Sequence, residues 1–300
     1  MRVTNQMMSN NFIINLNAHL EKMNRLQEEI SSGKRVNKPS DDPLSASRIV
    51  EIEHQLKMNG QYKKNIQSGI TRLNDTESNL NTLQNIVSRA KDLSIQGSNA
   101  TFSRDDMDKL AIEVNQILEQ AVSISNKKSI DGYLFAGTYG KEPFKITRNG
   151  DGQITSVLPA GDVSGKIYRQ ASADEKVQVN IENEKIFTGD QNVFDDLINL
   201  RDALQEGDKD RVSDAIGELN TRLDVIIGKV SEVGAKINAL DNRNNMIDTE
   251  NLSLNQFLAD LQDADIAQAI VNYQQEQLAY QAALQAGGQM LQQAALNFLK

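Results

Sequence analysis

The chain has 300 residues, 39% of them hydrophobic and only 5% aromatic, with no Cys, no Trp and two His. That composition implies an aliphatic core and excludes disulfides, thiolate metal sites, cysteine nucleophiles and histidine-rich metal centres. The net charge of −9, without a dense basic patch, argues against nucleic-acid binding, and no apolar run approaches the roughly 18 residues of a membrane-spanning helix.

The opening Met1-Arg2-Val3-Thr4-Asn5-Gln6 has no apolar signal core, which predicts a cytoplasmic chain or one exported without a cleaved signal. Phe12, Leu16, Leu20, Met23, Leu26 and Ile30 then recur in steps of three and four, predicting an amphipathic helix. Ser31-Ser32-Gly33 ends it, with Gly33 as a left-handed cap. His19 lies beside the apolar stripe and reads as a packing or solvent-facing residue. Asp42 and Pro43 supply the N-cap and first position of the next helix. The four prolines are Pro39, Pro43, Pro143 and Pro159, which leaves 44–142 and 160–300 free to form long helices. Ile66, Ile70, Leu73, Leu80, Leu83, Val87 and Ala90 predict a helix over 44–97, about 80 Å long if unbroken. Gly97-Ser98-Asn99 stops it. Ser103 to Asp106 forms a capping box before the stripe Met107, Leu110, Val114, Ile117, Ala121, Ile124.

The centre reads as β. Asn149-Gly150-Asp151-Gly152 predicts a turn, and Val177, Val179 and Ile181 alternate with Gln178, Asn180 and Glu182 as in a half-buried strand. The centre is predicted to be an outward insertion in which 145–185 is replaceable without loss of the helical core. Residues 174–224 hold fourteen acids and six bases and are expected to form a well-solvated surface.

A heptad pattern dominates the remainder. Val212, Leu219, Ile226, Val233, Leu240, Ile247, Leu254 and Leu261, with partners at 216, 223, 230, 237, 244, 251 and 258, give thirteen apolar seam positions of fifteen. Asp263-Ala264-Asp265 breaks the register. A second seam follows: Ile266, Tyr273, Tyr280, Gly287 and Ala294, with Ile270, Gln277, Leu284, Leu291 and Phe298. From Ile266 to the end only Glu276 and Lys300 are charged, while nine residues are Gln and eight Ala. A helix facing water normally carries charge on its outer side. The amide and methyl surface therefore suits burial on several sides, either as a helix tucked into the core of the single chain or, since the N-terminal stripe is only about five turns long, as one whose burial is completed by self-association.

Active-site patterns are absent. Gly161 to Lys166 approximates a phosphate loop but lacks one spacer and the Ser/Thr after Lys. Asp105, Asp106 and Asp108 sit in a first helical turn, where acids complement the dipole. His54 shares no single helix face with both Glu51 and Glu53. No enzyme activity, cofactor or metal is expected.

The stretch Ser31-Ser32-Gly33-Lys34-Arg35-Val36-Asn37-Lys38-Pro39-Ser40-Asp41-Asp42-Pro43 resembles the N-terminal segment of bacterial flagellins and hook-associated proteins. Flagellins proper usually read Ala-Ala-Gly after the paired Asp. Here Pro43-Leu44-Ser45 follows, and with the opening Met1 to Met8 this is closer to the members that join hook to filament. Asp131 to Thr138 is similar to the stretch after the family's second core helix. Gln281 to Lys300, with Ala286-Gly287-Gly288 and Leu296-Asn297-Phe298-Leu299, is similar to its C-terminal helix.

The resemblance implies a mainly α, flagellin-like fold with a small β module. Long antiparallel coiled-coil helices from both termini would pair in a core around a central β-rich insertion. It implies a terminal assembly domain of 1–43 and 263–300, a long-helix core of 44–140 and 189–262, and an outer module of 141–188. The implied role is a structural adaptor of the flagellum at the hook–filament junction, outside the cell and exported through the type III apparatus. Phe12, Leu16, Leu20, Met23, Ile270, Tyr273, Tyr280, Leu284, Leu291 and Phe298 would form the assembly interface, and Ser32, Gly33, Arg35, Asn37, Pro39, Asp41, Asp42 and Pro43 the family loop. Implied partners are further copies of the chain, the first hook-associated protein, flagellin, and an export chaperone covering Ile270, Leu284, Leu291 and Phe298. No nucleic acid or membrane partner is implied. A short flagellin is the alternative within the family. A coiled-coil secretion translocator would explain the heptads but not the Lys34 to Pro43 motif.

Overall fold

The computed structural model describes residues 2–99, 102–189 and 191–298; the side chains of 2–6, 290, 291 and 293–298 lie outside that description. Helices α1 (Arg2–Ser32), α2 (Pro43–Gly97) and α3 (Arg104–Ser125) precede three two-stranded antiparallel sheets. These pair β1 (Lys128–Ser129) with β2 (Gly132–Tyr133), β3 (Phe144–Arg148) with β4 (Ile154–Pro159), and β5 (Tyr168–Gln170) with β6 (Lys176–Gln178). Helices α4 (Val193–Glu206), α5 (Lys209–Gln262) and α6 (Ile266–Phe298) complete the chain. The fold is mainly helical with small strand pairs, as the sequence predicts. Two compact units are present, 1–58 with 249–300, and 59–248. Both α2 and α5 contribute to each.

In the 59–248 unit the apolar stripes make one core. Every stripe residue of α2 from Ile66 to Ala90 is buried, as are Met107, Val114, Ile117, Ala121 and Ile124 of α3. The α5 seam contributes Val212, Leu219, Ile226, Val233, Leu240 and Ile247. Gly69 of α2 lets the helix approach Val179 and Leu240, where a Cβ would meet Val179 Cγ1 at 2.9 Å. Ser103 caps α3 by accepting from the Asp106 backbone N–H, and Asp106 in turn binds Ser103 and Lys109. Its role is capping and local pairing.

Three expectations need correction. The acidic 174–224 segment is not uniformly solvated, because it contains α4, which packs against α3 and β4. Val193, Phe194, Leu197, Leu200, Ala203 and Leu204 are buried, while Asp195, Asp202 and Glu206 occupy the outer side. Asn192 caps its start through two backbone N–H groups, and Gly207 at φ +73 closes its end. Its acids make the helix look like surface when only charge is counted.

Nor is the β region a detachable insertion. Phe144, Ile154, Val157, Val163, Ala171, Val179 and Ile181 belong to the same core cluster as the helices. The rings of Phe135, Phe144, Phe187 and Phe194 join it through centroid distances of 4.9 to 5.6 Å. The predicted alternation over 177–182 is also incomplete. Strand β6 ends at Gln178, and Asn180 is buried because its side chain accepts from the Ile167 N–H and donates to the Gly165 carbonyl.

The third correction concerns α1. It begins at Arg2, ten residues before the stripe does, so its 31 residues nearly match the 33 of α6. The N-terminal partner of α6 is therefore longer than the stripe alone indicates, because residues without an apolar pattern propagate a helix already nucleated.

Gly161 and Gly165, which give the phosphate-loop likeness, have a packing role. A Cβ on Gly161 would enter the Tyr139 ring and one on Gly165 would overlap Thr138, while Lys166 pairs with Glu182 at 2.7 Å.

Candidate functional site

The candidate site lies wholly in the 1–58 and 249–300 unit. It consists of the loop between α1 and α2, the α5–α6 junction that the loop crosses, and the facing helices α1 and α6.

The loop is built from its own polar groups. Gly33 at φ +72 donates to the Glu29 carbonyl, reversing the chain where a residue with Cβ would be strained. The Ser32 hydroxyl accepts from the Lys34 N–H at 3.1 Å. Lys38-Pro39-Ser40-Asp41 forms a turn closed by Asp41 N–H to the Lys38 carbonyl, with Pro39 at the position whose fixed φ suits it. Asp41 Oδ2 accepts from the backbone N–H of Lys38 at 2.8 Å and of Asn37 at 3.1 Å, and Asn37 donates to the Lys34 carbonyl at 3.0 Å. The Lys38 N–H above all holds the Asp41 carboxyl below the usual carboxylate range. Asp42 caps α2, accepting from the Ser45 N–H and hydroxyl, and these bonds hold its carboxyl below the usual range too. Pro43 occupies the first helical position.

This loop is tied to the α5–α6 junction. Ala264 N–H donates to the Gly33 carbonyl at 2.9 Å and Arg35 N–H to the Gln262 carbonyl at 2.7 Å, so Lys34 and Asp263 pair like two residues of antiparallel strands. The Arg35 guanidinium donates to the Leu261 carbonyl at 2.9 Å. Val36 is buried beneath. Five of the eight family-loop residues thus supply the contacts that shape and anchor this crossing: Gly33, Arg35, Asn37, Asp41 and Asp42. Ser32, Pro39 and Pro43 set local chain direction.

From that crossing α1 and α6 run antiparallel. Gly33 faces Ile266, His19 faces Glu276 and Phe12 faces Gly287. Two features that sequence reasoning missed fix this register. The first is a charge clasp: the Glu276 carboxylate binds the His19 ring at 2.6 Å and Lys22 Nζ at 3.3 Å. The His19 ring, with Lys22, holds the Glu276 carboxyl below its ordinary range. His19 is thus neither simple packing nor solvent-facing, and the signal available in the sequence was that α6 carries a single internal charge. The second is steric. Gly287 is buried in an otherwise exposed stretch because the Phe12 ring lies over it; a Cβ there would enter the ring. Gly287→Ala is expected to destabilise the helix pair by about 1–3 kcal/mol through overpacking. Adding Phe12→Ala should remove that extra cost, which amide exchange along α6 in a double-mutant cycle would measure.

The apolar residues expected at an assembly interface divide into two groups. Phe12, Leu16, Met23, Tyr273 and Tyr280 are half-buried between α1 and α6. Leu20, Ile270 and Leu284 stay 36%, 41% and 45% exposed in the isolated chain, on helices that also expose Met7, Ile14 and Leu278. The side chains of Leu291 and Phe298 lie outside the described residues. Among the described residues no helix is long and apolar enough to cross a membrane.

The tied loop and the paired terminal helices form one helical unit that leaves apolar residues exposed. Residues 3–139 match the family model for the bacterial flagellin N-terminal helical region. Flagellar hook-associated protein 3 of Escherichia coli (strain K12) is 26% identical, covering 95% of this chain and 96% of that protein. The flagellar filament 30.7 kDa core protein of Treponema maltophilum is 25% identical, covering 86% of this chain and 84% of that protein. The crystal structure of flagellar hook associated protein-3 from Legionella pneumophila shares the fold, with a TM-score of 0.62 at 14% identity over 71% of this chain and 98% of that one. The N-terminal part of the chain thus matches the flagellin helical region, and nearly its whole length is similar to a flagellar hook-associated protein.

Proposed function

We propose that the chain is the adaptor subunit at the hook–filament junction of the bacterial flagellum, acting by packing and not by catalysis. The observation that carries this reading is the unequal burial of the terminal helices. Their inner seam is satisfied within the subunit, while Leu20 remains open on α1 and Ile270 and Leu284 on α6, a helix whose one charged residue is Glu276. Exposed apolar surface of this kind is stabilised by burial against a neighbour. Residues 1–43 and 263–300 form the assembly domain in this reading, with the first hook-associated protein on one side and flagellin on the other. Before export through the type III apparatus, the same edge of α6 is covered by a cytoplasmic chaperone, docked through anchors spaced by multiples of seven residues, about two helical turns each. A filament subunit is the second reading, favoured by the near full-length similarity to the Treponema filament core protein.

The test is a strain carrying Ile270→Asp with Leu284→Asp. A carboxylate forced into an apolar contact costs several kcal/mol unless it is protonated or paired. The 59–248 core should melt as in the parent by circular dichroism. Hooks should lack filaments, and flagellin should accumulate in the medium. Firmly attached filaments with an unchanged melt would overturn the assignment of α6 as the assembly surface.

A further inference from the structure

The chain contains two Asn-Gly pairs, Asn59-Gly60 and Asn149-Gly150. Such a pair is chemically labile when the backbone nitrogen of the second residue reaches the side-chain amide carbon of the first. Glycine, without Cβ, obstructs that approach least. Space does not distinguish the pairs, since a Cβ at either glycine would meet nothing within 4 Å. The backbone does. Asn59-Gly60 lies inside α2, with Asn59 only 7% exposed. Helical dihedrals hold the Gly60 nitrogen away from the Asn59 side chain and commit its N–H to the helix ladder.

Asn149-Gly150 opens the connection between β3 and β4 and is exposed. There the Asn149 side-chain oxygen accepts from the backbone N–H groups of Asp151 at 3.1 Å and Gln153 at 2.9 Å. These two donors polarise the amide carbonyl and point at the oxygen on which negative charge grows when a nucleophile adds. Backbone donors stabilise an acyl-transfer intermediate in the same way.

We propose that Asn149 is a site of spontaneous deamidation in the folded protein, with water as co-reactant. The Gly150 nitrogen bonds to the Asn149 side-chain carbon, and its proton leaves through solvent. The amide nitrogen takes up a proton and departs as ammonia, closing a succinimide ring. Water then adds to one ring carbonyl and breaks its bond to the Gly150 nitrogen. Opening at the side-chain carbon restores the backbone with aspartate in place of asparagine. Opening at the main-chain carbon routes the backbone through the side chain as isoaspartate. No oxidant or reductant takes part. The isoaspartyl form lengthens the backbone by one methylene, between bonds that hold the turn. These are Asn149 N–H to the Gln153 carbonyl and Arg148 to the Gly152 carbonyl, both 2.9 Å. Arg148 also ties the turn to α3 through Glu119, so conversion loosens the hairpin at its anchored end.

The experiment incubates the full chain in mildly alkaline buffer, folded and in denaturant. It follows both sites by peptide mass and by isoaspartyl methyltransferase labelling. In the folded chain the Asn149 peptide alone should gain the mass difference between NH2 and OH and become a methyl acceptor. In denaturant both pairs should convert, and folded Gly150→Ala should lose the signal. Conversion of folded Asn59 at the same rate or faster overturns the proposal. So does an unreactive folded Asn149 beside two reactive denatured sites, or a Gly150→Ala chain that converts like the parent.

Discussion

Replacing residues 145–185 by a short Gly/Ser linker is expected to abolish the cooperative unfolding of the 59–248 unit. The segment contributes Ile154, Val157, Val163, Val179 and Ile181, each at most 5% exposed, to a core shared with four helices. At roughly 1.5–3 kcal/mol per buried aliphatic side chain, their removal costs on the order of 8–15 kcal/mol. That equals the whole stability of an ordinary domain. Polar losses add to it. Arg201 is almost fully buried and donates to the Ile154 carbonyl at 2.6 Å, while Asn183, within the segment, donates to the carbonyl of Phe135 outside it. The four-ring Phe cluster would be opened. Thermal melts followed by circular dichroism should lose their sigmoidal transition, with strong binding of a hydrophobic dye. Shortening only the exposed turn 149–152 should keep a sigmoidal melt, lowered by the hydrogen bonds the turn itself makes, each worth about 0.5–1.5 kcal/mol. A cooperative melt near the parental midpoint after the large replacement would show that the helices pack without the β region.

The second large effect is expected at Asp196. Its carboxylate meets Arg222 at 2.8 Å, with the side chains only 4% and 6% exposed, and Arg222 also donates to the Lys185 carbonyl. Burial pushes the Asp196 carboxyl above its ordinary value, and the Arg222 guanidinium opposes that rise. The pair locks α4 to α5 and to the loop before α4. Asp196→Ala leaves a guanidinium buried without its carboxylate, which costs about 3–5 kcal/mol. Asp196→Leu with Arg222→Met replaces both charges by apolar groups and should recover most of that loss, since buried pairs contribute little net stability over a hydrophobic isostere. Denaturant melts of the two singles and the double give the coupling directly. A single Asp196→Ala chain within 0.5 kcal/mol of the parent, on the usual scale of neutral surface changes, would mean that Arg222 finds another partner or water.

What could be read from the sequence follows from which interactions are periodic. Stripes on α2, α3 and α5 recur every three or four residues and were legible, as were Gly33, Asp42 and Pro43, whose backbone roles are local. Helix α4 was hidden because its acids dominate the local composition, although Phe194, Leu197, Leu200 and Leu204 keep helical spacing. Asn180 and Asp196 depart from polar-outside logic because each is satisfied by residues distant in sequence, which periodicity does not encode. The candidate site was legible as a set of apolar residues, but its register was not. The facing of His19 with Glu276 and of Phe12 with Gly287 depends on where the Lys34–Asp263 crossing starts the pairing. In the sequence Arg35 stands out only as part of a motif; its bonds to the Gln262 and Leu261 carbonyls give that motif a physical purpose.

The proposed adaptor role is tested most directly by location. Flagella from cells expressing an epitope-tagged chain, with the tag in the exposed Asn149–Gly152 turn, would be viewed by immunogold electron microscopy. Label should form a short band where hook meets filament, present once per flagellum and unchanged as filaments lengthen. Label distributed along the whole filament, increasing with its length, would contradict the junction assignment and make the chain a filament subunit.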